Sequence, residues 1–187
     1  MTLLHPHPEA VRVKQHMQRW LERAVIGLNL CPFAKAVHVK QQIRYAVTAA
    51  TDAGELLADL RQELLDLAQA DPTERDTTLL VAPDTLADFL DFNDCLGRAD
   101  RLLRKLGLDG VLQIASFHPR YQFADADTDD IGNCSNRAPY PTLHLLREAS
   151  IARAVQAVPD AADIYERNRQ TLATLGFAGW AELELDL

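Results

Sequence analysis

The sequence predicts an α/β fold, a small and mainly parallel sheet with helices packed around it. Three observations predict it. Short runs of β-branched and aliphatic residues recur along the chain, stretches of helical period separate them, and Gly, Pro and Asp mark the borders. Strand, helix, strand, helix, strand with helices of this length between implies right-handed crossovers, and therefore parallel neighbours. With 187 residues, 48% hydrophobic and 25% charged, the chain is expected to form one globular domain over residues 1–187. The alternative is an α+β, ferredoxin-like domain in which Arg120 to Phe123 supplies an extra antiparallel strand.

The first helix is signalled by Pro8 and by Met17, Trp20, Leu21, Ala24, Val25 and Leu28, which share one face. It stops in Gly27-Leu-Asn-Leu-Cys-Pro-Phe33, because Pro32 cannot continue a helix and pushes Cys31 toward an extended backbone. Between Val39 and Thr48, Ile43, Tyr45 and Val47 alternate with Arg44, Ala46 and Thr48, the pattern of a half-buried strand. Asp52 with Glu55 resembles a capping box and precedes the stripe Leu56, Leu57, Leu60, Leu64 and Leu67, a helix that ends by Asp71-Pro72.

Thr77 to Ala82 is the second strand, after which Pro83-Asp84 opens a helix. Its stripe is Leu86, Phe89, Leu90, Leu96, Ala99, Leu103 and Leu106, with Gly107 as the C′ glycine. Cys95 is expected to pack, and Asn93 falls on the stripe as an edge or satisfied amide. Val111 to Phe117 is the third strand and is apolar enough to be central. Pro141 then begins a helix through Leu143, Leu146, Ile151, Ala154, Val155 and Val158, and another runs from about Ala161 to Leu175. The tail from Phe177, with Trp180, Leu183, Leu185 and Leu187, is expected to dock as a last turn of helix or as a strand.

The net charge of −8 and pI near 5.2 argue against a general nucleic-acid binder, which needs clustered Lys and Arg. Neither a membrane-spanning apolar run nor the apolar core of a signal peptide is present. Cys31, Cys95 and Cys134 form an odd set without a C-x-x-C pair, which suits a reducing compartment and speaks against a structural zinc. The expectation is a cytoplasmic protein, with no nucleic acid and no membrane among its partners; its oligomeric state is open.

The richest chemistry lies between Ser116 and Glu148. The connection from His118 to Tyr140 spans 23 residues, far beyond the usual ~5, so it is functional or disordered. Tyr121, Phe123, Ile131 and Tyr140 can anchor it, which favours function. His118 follows the third strand directly, and open parallel sheets gather ligands outside the carboxyl ends of their strands.

Three stretches, Trp20-Leu-Glu-Arg-Ala-Val-Ile-Gly-Leu-Asn-Leu-Cys-Pro-Phe-Ala34, Phe117-His-Pro-Arg-Tyr-Gln-Phe123 and Asn136-Arg-Ala-Pro-Tyr-Pro-Thr-Leu-His-Leu-Leu-Arg-Glu148, together resemble a bacterial domain-of-unknown-function family. The resemblance implies a bacterial cytoplasmic protein and supplies no mechanism. It places Cys31, His118, Tyr121, Asn136, Arg137, Tyr140, His144 and Glu148 in the family's characteristic motifs. Cys134 sits where the family is expected to accept other residues.

The residues admit three chemistries. In the first, His144 and Glu148, four apart on a helix, join His118 to hold a divalent metal; a His–Glu hydrogen bond on a helix surface is the plain alternative. In the second, Cys31 is a nucleophile with His118 or His144 as base. The negative end of the preceding helix dipole opposes this, and packing beside Pro32 and Phe33 is its alternative. In the third, Arg120, Arg137 and Arg147 fork a carboxylate or phosphate, with Tyr121, Asn136 and Tyr140 as neutral donors.

Under that third reading the protein acts on a small anionic metabolite at the end of the third strand. His118 or His144 is the acid/base, and Asp125, Asp127, Asp129 and Asp130 form a lid or pin the arginines. A calcium loop is unsupported, since its glycine and closing Glu are absent. A non-catalytic ligand-binding or protein-interaction module is the alternative from another class.

Overall fold

The computed structural model describes residues 7–157 and 164–185. Six α-helices are seen among them: α1 (Ala10–Trp20), α2 (Ala34–Val39), α3 (Ala53–Gln69), α4 (Phe89–Lys105), α5 (Glu148–Ala157) and α6 (Ile164–Ala181). Four strands, β1 (Ile43–Val47), β2 (Thr77–Val81), β3 (Leu112–Phe117) and β4 (Thr142–Arg147), form one sheet in the order β1-β2-β4-β3. β1 and β2 are parallel, joined by the α3 crossover, whereas β4 runs antiparallel to both β2 and β3. The α/β class holds, and the sheet is mixed rather than mainly parallel.

That correction has one source. Thr142 to Arg147 is a strand, not the first turns of a helix, and helix begins only at Glu148. Leu143, Leu146 and Ile151 fit a helical period, but Leu143 and Leu145 alternate with Thr142, His144 and Leu146 equally well. Insertion between β2 and β3 decides it, because the five residues Thr142 to Leu146 gain partners on both sides. Arg120 to Phe123, the alternative extra strand, has no strand structure.

The two faces of the sheet are covered differently. Ala46, Leu80, Leu112, Leu143 and Leu145 bury against Leu56, Leu60, Leu64 and Leu67 of α3 and Phe92, Ala99 and Leu103 of α4. On the other face Val47, Leu79 and Val81 meet Val13, Met17, Trp20, Leu21 and Ala24 of the N-terminal helix, with Leu172 and Trp180 of α6. At ~25 cal/mol per Å² these two apolar layers are the main source of stability.

Local signals account for most borders. The side chain of Asp52 accepts from the Gly54 and Glu55 amides at 2.7 and 2.9 Å, while Glu55 turns back to the Thr51 amide, the expected cap with one residue displaced. Asp88 caps α4 in the same way. Consequently α4 starts at Phe89 rather than near Asp84, which rotates the stripe so that Phe92 and Cys95 are buried and Leu90 and Asn93 face solvent. Gly107, with φ +71, ends it as expected.

After α1 the chain continues as a π-helical turn, Leu21–Ile26, closed by Gly27. A Cβ at Gly27 would stand 2.2 Å from the Arg23 carbonyl oxygen, so this closure requires glycine. The short α2 ends at Val39 and a turn at Lys40 and Gln41 follows, so the expected strand 39–48 begins only at Ile43. Past Gly176 (φ 65) the last helix resumes and docks Trp180 and Leu185 into the core. The expected helix positions Val158 and Ala161 and the tail residue Leu187 lie outside the described residues. No helix of the described residues is long and apolar enough to cross a membrane.

Candidate functional site

His118 stands where β3 ends, and alternation along the strand turns it to the α3/α4 side, opposite Phe117. Its ring is fully buried between Phe89 and Phe92, at 5.4 and 5.1 Å between centroids. Both nitrogens are committed to the main chain. The Arg120 amide donates to Nδ1 at 3.0 Å, which leaves Nε2 as the protonated nitrogen, donating to the Leu86 carbonyl at 3.0 Å. Leu86 presents that carbonyl from a left-handed backbone, φ +55. Burial lowers the pKa of His118, the Leu86 bond opposing and Arg120 assisting, so the ring is neutral at pH 7.

His144 is on the other face. It lies in β4 between Leu79 and Ala115, with the Phe117 ring 6.0 Å away. Thr77 Oγ1 donates to the Leu145 carbonyl at 2.6 Å and so accepts from His144 Nε2–H at 2.7 Å. Nδ1 thus carries the lone pair. No hydrogen bond to it is seen among the described residues, and it is not one of the buried unpartnered atoms. The half-buried ring is desolvated enough to push its pKa down to about 4.

The two histidines therefore do not meet, and no helix-borne His144–Glu148 pair faces His118. Glu148 opens α5, its amide donating to the Val111 carbonyl, and shares no helix face with His144. Among the described residues no three His, Cys, Asp or Glu side chains are grouped to hold a metal ion.

The three arginines are tied to carbonyl oxygens. Arg147 points to the α3 side, where Nη2 donates to Leu67, Ala70 and Arg75 at 2.6, 2.7 and 3.2 Å and so caps the C-terminus of α3. Arg137 donates to Tyr121 at 3.3 Å and Thr128 at 3.0 Å, and its Nη1 lies 4.0 Å from the Cys134 sulfur. Arg120 donates to the Ala87 carbonyl and pairs with Asp88 at 3.6 Å.

The long loop is held by these bonds and by amides. Asn136 Nδ2 donates to the Ser116 carbonyl, and its own carbonyl accepts from the His118 amide. The buried Asn133 spans Phe123 and Asp127. The residues Ile131–Asn136 form a 3₁₀ turn capped by Asp130, while Asp125, Asp127 and Asp129 are exposed. Tyr121 packs between Phe89 and Phe123.

Tyr140 hydrogen-bonds His16 Nδ1 at 2.9 Å and stacks on its ring. Cys31 is half-buried against the N-terminal core, bonds neither histidine, and burial raises its pKa. The same holds for Cys134, whose thiol burial raises although Arg137 opposes.

Three residues of the His144 face were silent in the sequence. Thr77 reads as an ordinary β-branched strand residue, and only its place beside His144 gives it a role. Tyr45, two strands away in the same row, buries a hydroxyl without a partner, and Lys14 Nζ sits 5.8 Å over its ring. His16 was hidden as a polar position on an amphipathic helix. A hollow of about 130 Å³ between the 3₁₀ turn and α6, lined by Asp130, Glu166, Arg169 and Gln170, contains none of the expected catalytic, ligand-binding or metal-holding residues. It is smaller than the ~300 Å³ at which metabolite pockets begin.

The profile of a family described as "Protein of unknown function (DUF1415)" matches residues 12–182, nearly the whole described fold. The chain belongs to this family. No curated protein and no solved structure matches the chain. For this DUF1415 member nothing shows an enzymatic or binding activity, and the geometry of its side chains is the ground for any functional reading.

Proposed function

We propose that the chain binds a small anionic metabolite on the half-open sheet face around His144 and that His144 is the proton acceptor there. One observation carries the reading: Thr77 takes the Nε2–H and burial keeps the imidazole neutral, which leaves an Nδ1 lone pair that no described residue uses. A base of this kind is ready over the whole neutral range, whereas His118 has spent both nitrogens on the main chain.

The preference for an anion is supported by the helix over this face. Between Ala10 and Ile26, Arg12, Lys14, Arg19 and Arg23 stand against a single acid, Glu22, in a chain of net charge −8, with Arg12 paired to Glu9 and Arg23 to Glu184 from outside the segment. Lys14 is the one over Tyr45. The three unpaired thiols suit a reducing, cytoplasmic setting. Arg120, Arg137 and Arg147 have the role of holding the loop and the end of α3, and ligand contact passes to Lys14, Tyr45 and His144.

A thermal-shift screen against carboxylates and phosphates tests this, with His144→Ala and Lys14→Ala beside the unaltered chain. The expected result is stabilisation by at least one anion class, lost in both variants. Stabilisation that survives in His144→Ala overturns the placement, and none by any anion overturns the ligand class. A protein-interaction reading is favoured by a separate observation, the outer edge of β3, where the Ile114 amide and carbonyl have no partner among the described residues.

A further inference from the structure

We infer that the outer edge of β3 is a homodimer surface, on which the same strand of a second copy pairs antiparallel about a two-fold axis at Ile114. The strand is an anomaly where it stands. Val111 to Pro119 contains no formally charged residue and reads as a central strand, yet β3 is at the edge of the sheet. Edges are normally guarded by charge, proline or a bulge. β1, at the opposite edge, carries the exposed Arg44 and follows Lys40.

The main-chain groups say which strand fits. Residues 113, 115 and 117 bond across to β4, as the Glu148 amide to the Val111 carbonyl shows by its parity, and 112, 114 and 116 face outward. Two of the outward groups are already satisfied. The Leu112 amide donates to the Leu108 carbonyl, and the Ser116 carbonyl accepts from Asn136. Four outward groups have no partner among the described residues: the Leu112 carbonyl, the Ile114 amide and carbonyl, and the Ser116 amide.

That remainder is self-complementary. With Ile114 opposite Ile114 of the partner, the two exchange amide-to-carbonyl bonds, and each Ser116 amide meets the Leu112 carbonyl of the other copy. The satisfied pair, the Leu112 amide and the Ser116 carbonyl, falls opposite itself. A foreign strand would offer a full set of groups and leave some unmatched. Side chains agree at the middle of the seam, since Gln113 falls opposite Ala115 with no like charges, and Asn136, bonded to the Ser116 carbonyl and the His118 amide, bounds the seam beyond it. The result is a continuous eight-stranded sheet with isologous contact.

Sedimentation of the full chain up to the order of 100 µM, with amide exchange at each concentration, tests the inference. The expected outcome is a dimer in which the Ile114 and Ser116 amides become protected as it forms, while the amides of Ile43, Tyr45 and Val47 on the β1 edge do not. Ser116→Pro removes an amide that no intramolecular bond uses and should weaken dimerisation by on the order of tenfold or more.

Should that variant fail to fold, cysteine pairing replaces it. Gln113→Cys mixed with Ala115→Cys should form an intermolecular disulfide, because facing positions of a non-hydrogen-bonded pair are ~4.5 Å apart. Neither variant alone should do so. A monomer at every concentration, a dimer without those two protected amides, or protection that appears only with another protein would overturn the inference.

Discussion

His118 follows the end of β3 and His144 lies in the neighbouring β4, and their environments are opposite. His118 is sealed between two phenylalanines with each nitrogen on a backbone group, so it fastens the loop after β3 to the loop before α4. His144 has one nitrogen tied by Thr77 and the other open. Both are neutral at pH 7, so charge does not distinguish them. The count of uncommitted atoms does: His118 has no ring nitrogen left over, and His144 keeps Nδ1.

The largest expected effect is on the structural side. His118→Ala leaves a cavity and strands the Leu86 carbonyl and Arg120 amide, which should cost about 3 kcal/mol of stability in chemical denaturation without altering anion binding in the folded fraction. A cost under about 1 kcal/mol would break the comparison. Next, Arg147→Ala removes the donor that serves three carbonyls at the end of α3 and should cost about 2 kcal/mol, with anion response intact. Loss of anion response with little loss of stability would return Arg147 to the ligand.

The pH dependence comes next. Both imidazoles are harder to protonate folded than unfolded; for His144 the unfolded chain binds more protons between about pH 4 and ~6.5, and His118 acts in the same direction. The His144 contribution is then full above ~6.5 and is lost as the pH falls toward 4, at about 1 kcal/mol per pH unit at the steepest. Denaturation of His144→Asn across this window should give a shallower slope. The smallest effect belongs to Thr77→Val, about 1 kcal/mol, accompanied by a mixture of His144 tautomers.

Much of this fold was legible before the structure. Strands β1 to β3, helices α3 and α4, the Asp52 cap and Gly107 follow from period and end chemistry. β4 was not, because Leu143, Leu146 and Ile151 keep helical spacing, and only the vacancy between β2 and β3 makes Thr142 to Arg147 a strand. That one change moved His144 from a helix to a sheet face and Arg147 to the other side.

The arginines illustrate a second reason. A sequence shows a guanidinium but not how many carbonyls lie within its reach, and here main-chain acceptors take Arg120, Arg137 and Arg147. The buried Glu63, held by Arg44 through two 2.8 Å bonds with Arg75 at 3.6 Å, was hidden likewise in a leucine-rich helix.

The most direct test of the contrast is the nitrogen-15 spectrum of the histidine rings as the pH is lowered from 8 to 4. The account predicts that His144 shows a protonated Nε2 and an unprotonated Nδ1 throughout the neutral range, titrating well below the usual ~6.5. A His144 ring that is protonated at Nδ1, or that becomes a cation near pH 6.5, would contradict it.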